Sequence, residues 1–212
     1  MGLLLGLLCH EENIMPLGAH KAAIMGVSGV STADVVLIAD NTSDTTDLTS
    51  VTFSSGIDST YGEYIFEFYN IGPATDGAFL QFQVNAAGAS GYDETITSAV
   101  TYQKHSEADA TNWAYITDYD QANGTAYQNL ITGIGNDADE SAAGQLHLFN
   151  PASTTYAKHF LSNVVMYQGP AAGTSHFFVS GYINTTTAID DINFKMSSGN
   201  FDGTIKMWGV KA

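Results

Sequence analysis

The sequence contains no arginine, since all six of its basic residues are lysines. Its formal net charge is −16 at pH 7, and charged residues make up only 13% of the chain, against a usual ~25%. A nucleic-acid backbone repels a chain this acidic, and no guanidinium group is present to hold phosphate in a bidentate way. We therefore expect no nucleic-acid partner.

Cysteine and long apolar runs are also scarce. Cys9 is the only cysteine, so the chain can form neither an intrachain disulfide nor a CxxC metal or redox site. The apolar run over residues 1–9 is far shorter than the ~18 residues of a membrane span, and it lacks the basic segment that opens a signal peptide. No membrane span is expected, and the fold has to depend on its core and on partner subunits.

Alternating apolar and polar side chains are the strongest pattern that the chain does contain. In one stretch Tyr64, Phe66 and Phe68 oppose Glu63 and Glu67. A period of two is what a strand with one buried face requires. A second stretch alternates in the same way, with apolar residues at Leu80, Phe82 and Val84. The turn-forming residues between the two stretches predict antiparallel strands joined by a long connection.

Similar runs predict an all-β domain of about ten short strands. These further runs cover residues 95–103, 113–119, 127–134, 145–149, 158–168, 176–183, 192–196 and 204–211, and the two stretches above bring the number of strands to ten. Short strands at such spacings are typical of an antiparallel β-sandwich, and we expect a jelly roll because its first and last strands can pair. The sandwich is predicted over residues 49–212, and residues 1–48 are predicted to form an extended N-terminal arm with one strand at 35–39.

The last strands carry two further expectations. Ile205 and Met207 are predicted to be buried and Lys206 exposed, because alternation fixes the register of a strand. Among the lysines, only Lys206 and Lys211 flank the last strand and only Lys195 the one before it. Strand edges that are neither covered nor charged template association, so we expect a homo-oligomer, most simply with cyclic symmetry.

Longer motifs follow one another from Ile57 towards the C-terminus. They are IDSTYGEYIFEF (57–68), NIGPATDGA (70–78), IGNDADES (134–141), GQLHLFNPASTT (144–155), KHF (158–160), GYINTTTAID (181–190) and KMSSGNFDGTIKMWGVK (195–211). In this order they resemble a family of uncharacterised virion structural proteins of marine tailed phages, of jelly-roll type. Residues 1–48 have no counterpart in that resemblance.

The resemblance implies a non-enzymatic protein of the virion, either a capsid decoration or a part of the tail or its fibres. Such a protein acts by assembly with itself and with other virion proteins, and by adhesion to the host surface. Projecting phage appendages are commonly trimeric, so the analogy suggests a trimer. Two alternatives stay open: a lectin-like carbohydrate-binding module, and a polysaccharide hydrolase on a jelly-roll fold.

The lectin-like alternative depends on Trp113, Tyr115 and Tyr119, which alternate along one predicted strand. Aromatic rings in an exposed row bind sugars through their flat apolar faces and polar tips. Rings in such a row also serve as core, which is the commoner use and the one we favour here. If they are exposed, these three residues are candidate contacts to host-surface glycans.

The hydrolase alternative depends on Glu63 and Glu67, which share one face of a predicted strand. Four residues along a strand separate two Cα atoms by about 13 Å, whereas the carboxyl groups of a retaining glycosidase lie about 5–5.5 Å apart. The two glutamates are therefore expected to form a solvated face, and no catalytic residue is predicted.

Asp137, Asp139 and Glu140 form the densest acidic cluster, and with Asn136 they offer the oxygen ligands that Ca²⁺ takes. The next glycine, Gly144, comes too late for an EF-hand loop, so a solvated turn is favoured. The six histidines show no HxH or HExxH spacing and are expected to form structural hydrogen bonds. The sequence thus predicts no cofactor and no metal.

Overall fold

The computed structural model describes residues 34–168 and 173–211. These residues form twelve β-strands and no helix, so no helix in this part of the chain is long and apolar enough to cross a membrane. The strands are β1 (Val35–Asp40), β2 (Val51–Phe53), β3 (Glu63–Pro73), β4 (Ala78–Ala86), β5 (Ile96–Ser106), β6 (Thr111–Tyr115), β7 (Gln128–Ile134), β8 (Ala142–Phe149), β9 (Lys158–Gln168), β10 (Gly173–Ile183), β11 (Ile189–Met196) and β12 (Phe201–Val210).

Two antiparallel sheets pack against each other as a sandwich. The large sheet has eight strands in the order β1-β12-β3-β8-β9-β10-β5-β6, and the small sheet has four in the order β2-β11-β4-β7. The all-β antiparallel sandwich predicted from the sequence is confirmed. The jelly-roll topology stays a prediction.

Aromatic side chains from both sheets fill the space between them. Tyr64, Phe66 and Phe68 of β3 are buried, as their alternation predicts. Phe194 of β11, in the small sheet, lies 5.3 Å from both Phe66 and Phe68, measured between ring centroids. Rings in such tilted and edge-on arrangements attract each other beyond the area that they bury. The core therefore joins a central strand of one sheet to a central strand of the other.

β12 has the register predicted for the last strand. Ile205 and Met207 are completely buried. Lys206 is half-buried rather than exposed, because its ammonium nitrogen lies 5.4 Å from the centroid of the Tyr69 ring. A lysine stem that covers an aromatic ring removes apolar surface from water while its charge stays hydrated.

The two strands with the clearest alternation do not pair with each other. β3 lies between β12 and β8 in the large sheet, and β4 lies between β11 and β7 in the small sheet. The long connection expected over residues 70–78 is also wrong, because β3 continues to Pro73 through a bulge. At the bulge Asn70 and Ile71 together oppose Gly203 of β12. A bulge shifts the alternation by one residue, so the period of two ends before the strand does.

The described part of the predicted arm belongs to the sandwich. β1 pairs with β12 in the large sheet, and Leu48 is buried in the core. The compact unit thus begins at Val35 and not at residue 49. A strand in this position pairs the backbone groups along the edge of β12, which would otherwise lie open. Residues 1–33 of the predicted arm lie outside the described residues.

The edges of the two sheets differ from those expected. β12 lies between β1 and β3, and β11 lies between β2 and β4, so Lys206 and Lys195 belong to interior strands. Among the described residues the edge strands are β1 and β6 of the large sheet and β2 and β7 of the small sheet.

A tight hairpin joins the strands that were predicted over residues 95–103 and 113–119, and it is shorter than the gap between those ranges. β5 extends to Ser106 and β6 begins at Thr111. The Ser106 amide donates to the Ala110 carbonyl at 2.9 Å, and the Asp109 amide donates to the Ser106 carbonyl at 3.0 Å. Because of this hairpin, β6 becomes the outermost strand of the large sheet.

Candidate functional site

Nine of the ten large apolar side chains that are exposed in the described residues lie on one surface, the outer face of the large sheet. They are Val35, Leu37, Tyr69, Trp113, Tyr115, Phe149, Val165, Tyr167 and Phe178. The tenth, Tyr156, lies in the connection between β8 and β9. We call these nine residues and the side chains between them the outer face.

Strand registers align the side chains of the outer face in rows that cross the sheet. One row consists of Trp113, Gln103, His176 and Val165. The next row consists of Tyr115, Thr101, Phe178, Asn163, Gln145, Glu67 and Lys206. Neighbouring strands lie about 4.8 Å apart, so side chains that are adjacent in a row can contact one ligand together.

The outer face of the small sheet has the opposite character. On β4 of this sheet, the Gln81 side-chain amide donates to the Asn129 side-chain oxygen at 2.7 Å. Asn193 donates to the Thr52 hydroxyl at 2.7 Å and accepts from the Tyr127 hydroxyl at 3.0 Å. These hydrogen bonds satisfy the polar side chains, including Asn193, which is buried, and none of the exposed large apolar side chains of the described residues lies on this face. Exposed apolar surface is thus concentrated on one side of the sandwich.

An open depression of about 510 Å³ lies on the outer face where β6, β5 and β10 meet. We call it the Trp113 groove, and its outer-face side chains are Gln103, His105, Thr111, Trp113, Thr174 and His176. Trp113 is 67% exposed. The Nε2 atom of His176 lies 3.3 Å from the side-chain oxygen of Asn163 on β9, and this contact fixes the orientation of the imidazole.

The structure separates the three aromatic residues predicted as glycan contacts. Trp113 and Tyr115 lie on one face of β6, as their alternation predicts, but both are exposed, so the core placement favoured from the sequence is wrong for them. The Tyr115 hydroxyl donates to Asp120, and this hydrogen bond raises the pKa of Tyr115. Tyr119 lies beyond the end of β6 and packs edge-on against Phe79 at 5.4 Å between centroids, partly buried beside the core.

Gln103, Thr174 and His176 are site residues that the sequence pattern missed. They come from β5 and β10, which are separated in the chain by four other strands. Each is an ordinary polar residue in an alternating strand, and only the strand register places it beside Trp113. No spacing in the sequence could have indicated this group.

Glu63 and Glu67 lie on the outer face, each with partners of its own. A Glu63 carboxylate oxygen lies 2.5 Å from Nδ1 of His147. One oxygen of Glu67 accepts hydrogen bonds from the Trp208 indole and the Tyr69 hydroxyl, both at 2.7 Å. The bond to Glu67 raises the pKa of Tyr69. The two carboxylates therefore join strands of the large sheet and do not converge on a shared position.

The acidic loop between β7 and β8 closes on itself. Glu140 is buried, and its carboxylate accepts a hydrogen bond from the Asp137 amide at 2.9 Å. The structure does not bring Asp137, Asp139 and Glu140 together as ligands, and residues 34–168 and 173–211 contain no group of three or more acidic, histidine or cysteine side chains that could hold a metal ion.

The chain was compared with family models, curated proteins and solved structures. Neither the family models nor the curated proteins nor the solved structures include a match to the chain.

Proposed function

We propose that the protein is a non-enzymatic structural protein of a phage virion that acts by assembly and by adhesion to the host surface. The virion part of the proposal comes from the sequence resemblance over residues 57–211, and one structural observation supports the assembly and adhesion part: nine of the ten exposed large apolar side chains of the described residues share the outer face. Exposed large apolar side chains that are gathered on one face mark sites where proteins bind partners, and aromatic side chains are enriched at the centres of such interfaces.

The charges of the outer face also suit an interface. The chain as a whole carries a formal charge of −16, yet the two acidic side chains of β3 on this face, Glu63 and Glu67, already bind His147, Trp208 and Tyr69. Covering the face with a partner would therefore leave neither of these carboxylates without a hydrogen bond. Removing paired groups from water costs less free energy than removing unpaired charges.

The order of the strands supports jelly-roll topology for this proposed virion protein. The pairs β1·β12, β2·β11, β3·β8 and β4·β7 are nested, with the earliest strand paired to the latest. Folding one long antiparallel ribbon over itself produces such nesting, and the hairpins β5–β6 and β9–β10 extend the large sheet beyond it. We infer that the latter hairpins are additions to a jelly roll.

We further propose that the protein forms a homo-oligomer, with a trimer suggested by analogy with phage appendages. The edge strands β1, β6, β2 and β7 offer backbone groups for association. Assembly of so acidic a chain has to depend on apolar and backbone contacts, so it should persist at high salt. Light scattering in low and high salt measures this directly. A strictly monomeric mass at micromolar concentration contradicts self-assembly.

Labelling of intact virions with an antibody against the protein tests its location. We expect signal on the capsid or the tail, and particles without signal contradict the virion role. A matched pair of variants tests the surface: Val165→Lys with Phe178→Lys changes the outer face, whereas Tyr156→Lys changes the exposed apolar residue that lies elsewhere. Incorporation into particles or self-association should fall for the first variant and stay unchanged for the second.

A further inference from the structure

We infer that the Trp113 groove is a saccharide-binding subsite that takes a neutral pyranose. This subsite rests on the adhesion part of the proposed function and gives it a ligand class. The assembly part does not depend on the subsite. The subsite consists of Trp113 on β6, Gln103 on β5, and Thr174 and His176 on β10. Residues from three adjacent strands thus line one depression.

Trp113 supplies the stacking surface. Its side chain is 67% exposed on the outermost strand of the large sheet, so a ligand can approach its ring from the open edge. The flat apolar face of an indole packs against the C–H face of a sugar ring, and its N–H can donate to a hydroxyl. The placement suits a ring within an extended glycan, because the depression is open and not enclosed.

Gln103 and His176 continue the row that begins at Trp113. Two strand spacings separate Trp113 from His176, or about 10 Å, which leaves room for a sugar ring over Gln103. The Gln103 amide has both a donor and an acceptor, and so does the Thr174 hydroxyl. Sugar hydroxyls need both kinds of partner at close spacing.

The contact between His176 and Asn163 sets the chemistry of the imidazole. The Asn163 side-chain oxygen only accepts hydrogen bonds, so Nε2 of His176 donates to it across 3.3 Å. In the neutral ring Nδ1 is then an acceptor, suited to a sugar hydroxyl. The hydrogen bond to Asn163 of β9 holds the His176 ring in place before a ligand binds, and a ring that is already fixed loses less entropy on binding.

Electrostatics favour a neutral sugar over an acidic one. The formal charge of −16 repels uronate and sulfate groups over distances of about a Debye length. Within the groove His105 lies 3.2 Å from the Asp109 carboxylate, so this imidazole already has an anionic neighbour. A neutral glycan is repelled neither by the net negative charge of the chain nor by the Asp109 carboxylate.

An array carrying neutral gluco-, galacto- and manno-oligosaccharides together with uronate and sulfated glycans, probed with the full chain, tests the inference. We expect binding to neutral glycans. Trp113→Ala should weaken it about tenfold or more, since the stacking surface is lost. Trp113→Phe should retain part of the affinity, and Gln103→Ala should weaken binding with an unchanged melting temperature. Tyr156→Ala, an exposed aromatic residue off the outer face, should bind as the wild type does.

The possible failures are distinguishable. Binding by the wild type that Trp113→Ala and Gln103→Ala leave unchanged overturns the subsite and keeps adhesion. Binding only to uronate or sulfated glycans overturns the neutral class. A wild type that binds no glycan on the array overturns the subsite, whereas the assembly part of the proposed function is decided separately by incorporation into particles.

Discussion

The Tyr64 hydroxyl bonds to both backbone groups of Asp58, which lies six residues earlier in the chain. It accepts from the Asp58 amide at 2.8 Å and donates to the Asp58 carbonyl at 3.0 Å. The Tyr64 side chain is completely buried, so these bonds replace those that the hydroxyl makes with water in the unfolded chain. They connect the segment between β2 and β3 to the central strand of the core.

Tyr64→Phe should lower the free energy of unfolding by about 1–3 kcal/mol, because two backbone groups of Asp58 lose a partner close to the core. Urea denaturation at neutral pH measures the difference. Tyr156→Phe is the matched control, since Tyr156 is 69% exposed, and it should change the free energy by less than about 0.5 kcal/mol. Equal stabilities of the two variants would show that the Asp58 contact contributes nothing.

The buried Tyr64 hydroxyl should also make the free energy of unfolding fall at alkaline pH. Burial raises the pKa of Tyr64 above its ordinary value of 10.0, so the native state keeps a proton that the unfolded chain has released. Its contribution to stability is therefore complete below about pH 10 and falls as the pH rises through the folded pKa. The stability difference between the wild type and Tyr64→Phe should stay constant up to about pH 10 and narrow as the pH rises further. A difference that stays constant above about pH 10 for Tyr64→Phe would contradict the raised pKa.

The two faces of the large sheet should respond differently to the same substitution. Met207 is completely buried, whereas Val165 is 47% exposed on the outer face. Met207→Asp places an unpaired carboxylate in the core and should lower the free energy of unfolding by about 3 kcal/mol or more. Val165→Asp should cost less than about 1 kcal/mol. Thermal melting compares them, and a Met207→Asp variant that melts like the wild type would refute the face assignment.

Inward and outward positions were predictable wherever the alternation is unbroken. Tyr64, Phe66 and Phe68 lie in the core because a strand with one buried face leaves no other arrangement. The partners of a strand were not predictable, since hydrogen bonds between strands leave no periodic mark on either sequence. The end of β3 was missed because the bulge at Asn70 interrupts the period, and a positive φ of 52° at this residue is typical of a turn as well.

The candidate site was predictable only in part. Alternation places Trp113 and Tyr115 on one side of a strand but does not say whether this side faces core or solvent. The deciding fact is the register of β6 with β5 and of β5 with β10, which places Trp113 and Tyr115 on the side of the large sheet that faces away from the core. Gln103 and His176 could not be found from the chain at all, because their proximity to Trp113 depends on two strand registers.

The two tryptophans should make unequal contributions to stability. The Trp208 indole donates to the Glu67 carboxylate at 2.7 Å, whereas Trp113 is largely exposed. Trp208→Phe removes this bond and should lower the free energy of unfolding by about 1–2 kcal/mol. Trp113→Phe should leave it within about 0.5 kcal/mol of the wild type. Acrylamide should quench the fluorescence that remains in Trp208→Phe more strongly than that in Trp113→Phe, and the reverse order would contradict the exposures.

Gly203 should resist substitution more than any glycine in open space. Its φ is 140°, and a Cβ atom there would lie 2.7 Å from a methyl carbon of Ile71 and 3.0 Å from the Asn70 carbonyl oxygen, at the bulge of β3. Gly77 is the matched control, because its φ is also positive, at 73°, but a Cβ atom there meets nothing within 4 Å. Gly77→Ala incurs backbone strain alone, about 1 kcal/mol. Gly203→Ala adds an overlap with the end of the Ile71 side chain, which is buried, and a tight contact with the Asn70 carbonyl, so its cost should reach about 3 kcal/mol. Urea denaturation of both variants separates strain from collision: similar losses would mean that the bulge yields to the added methyl group.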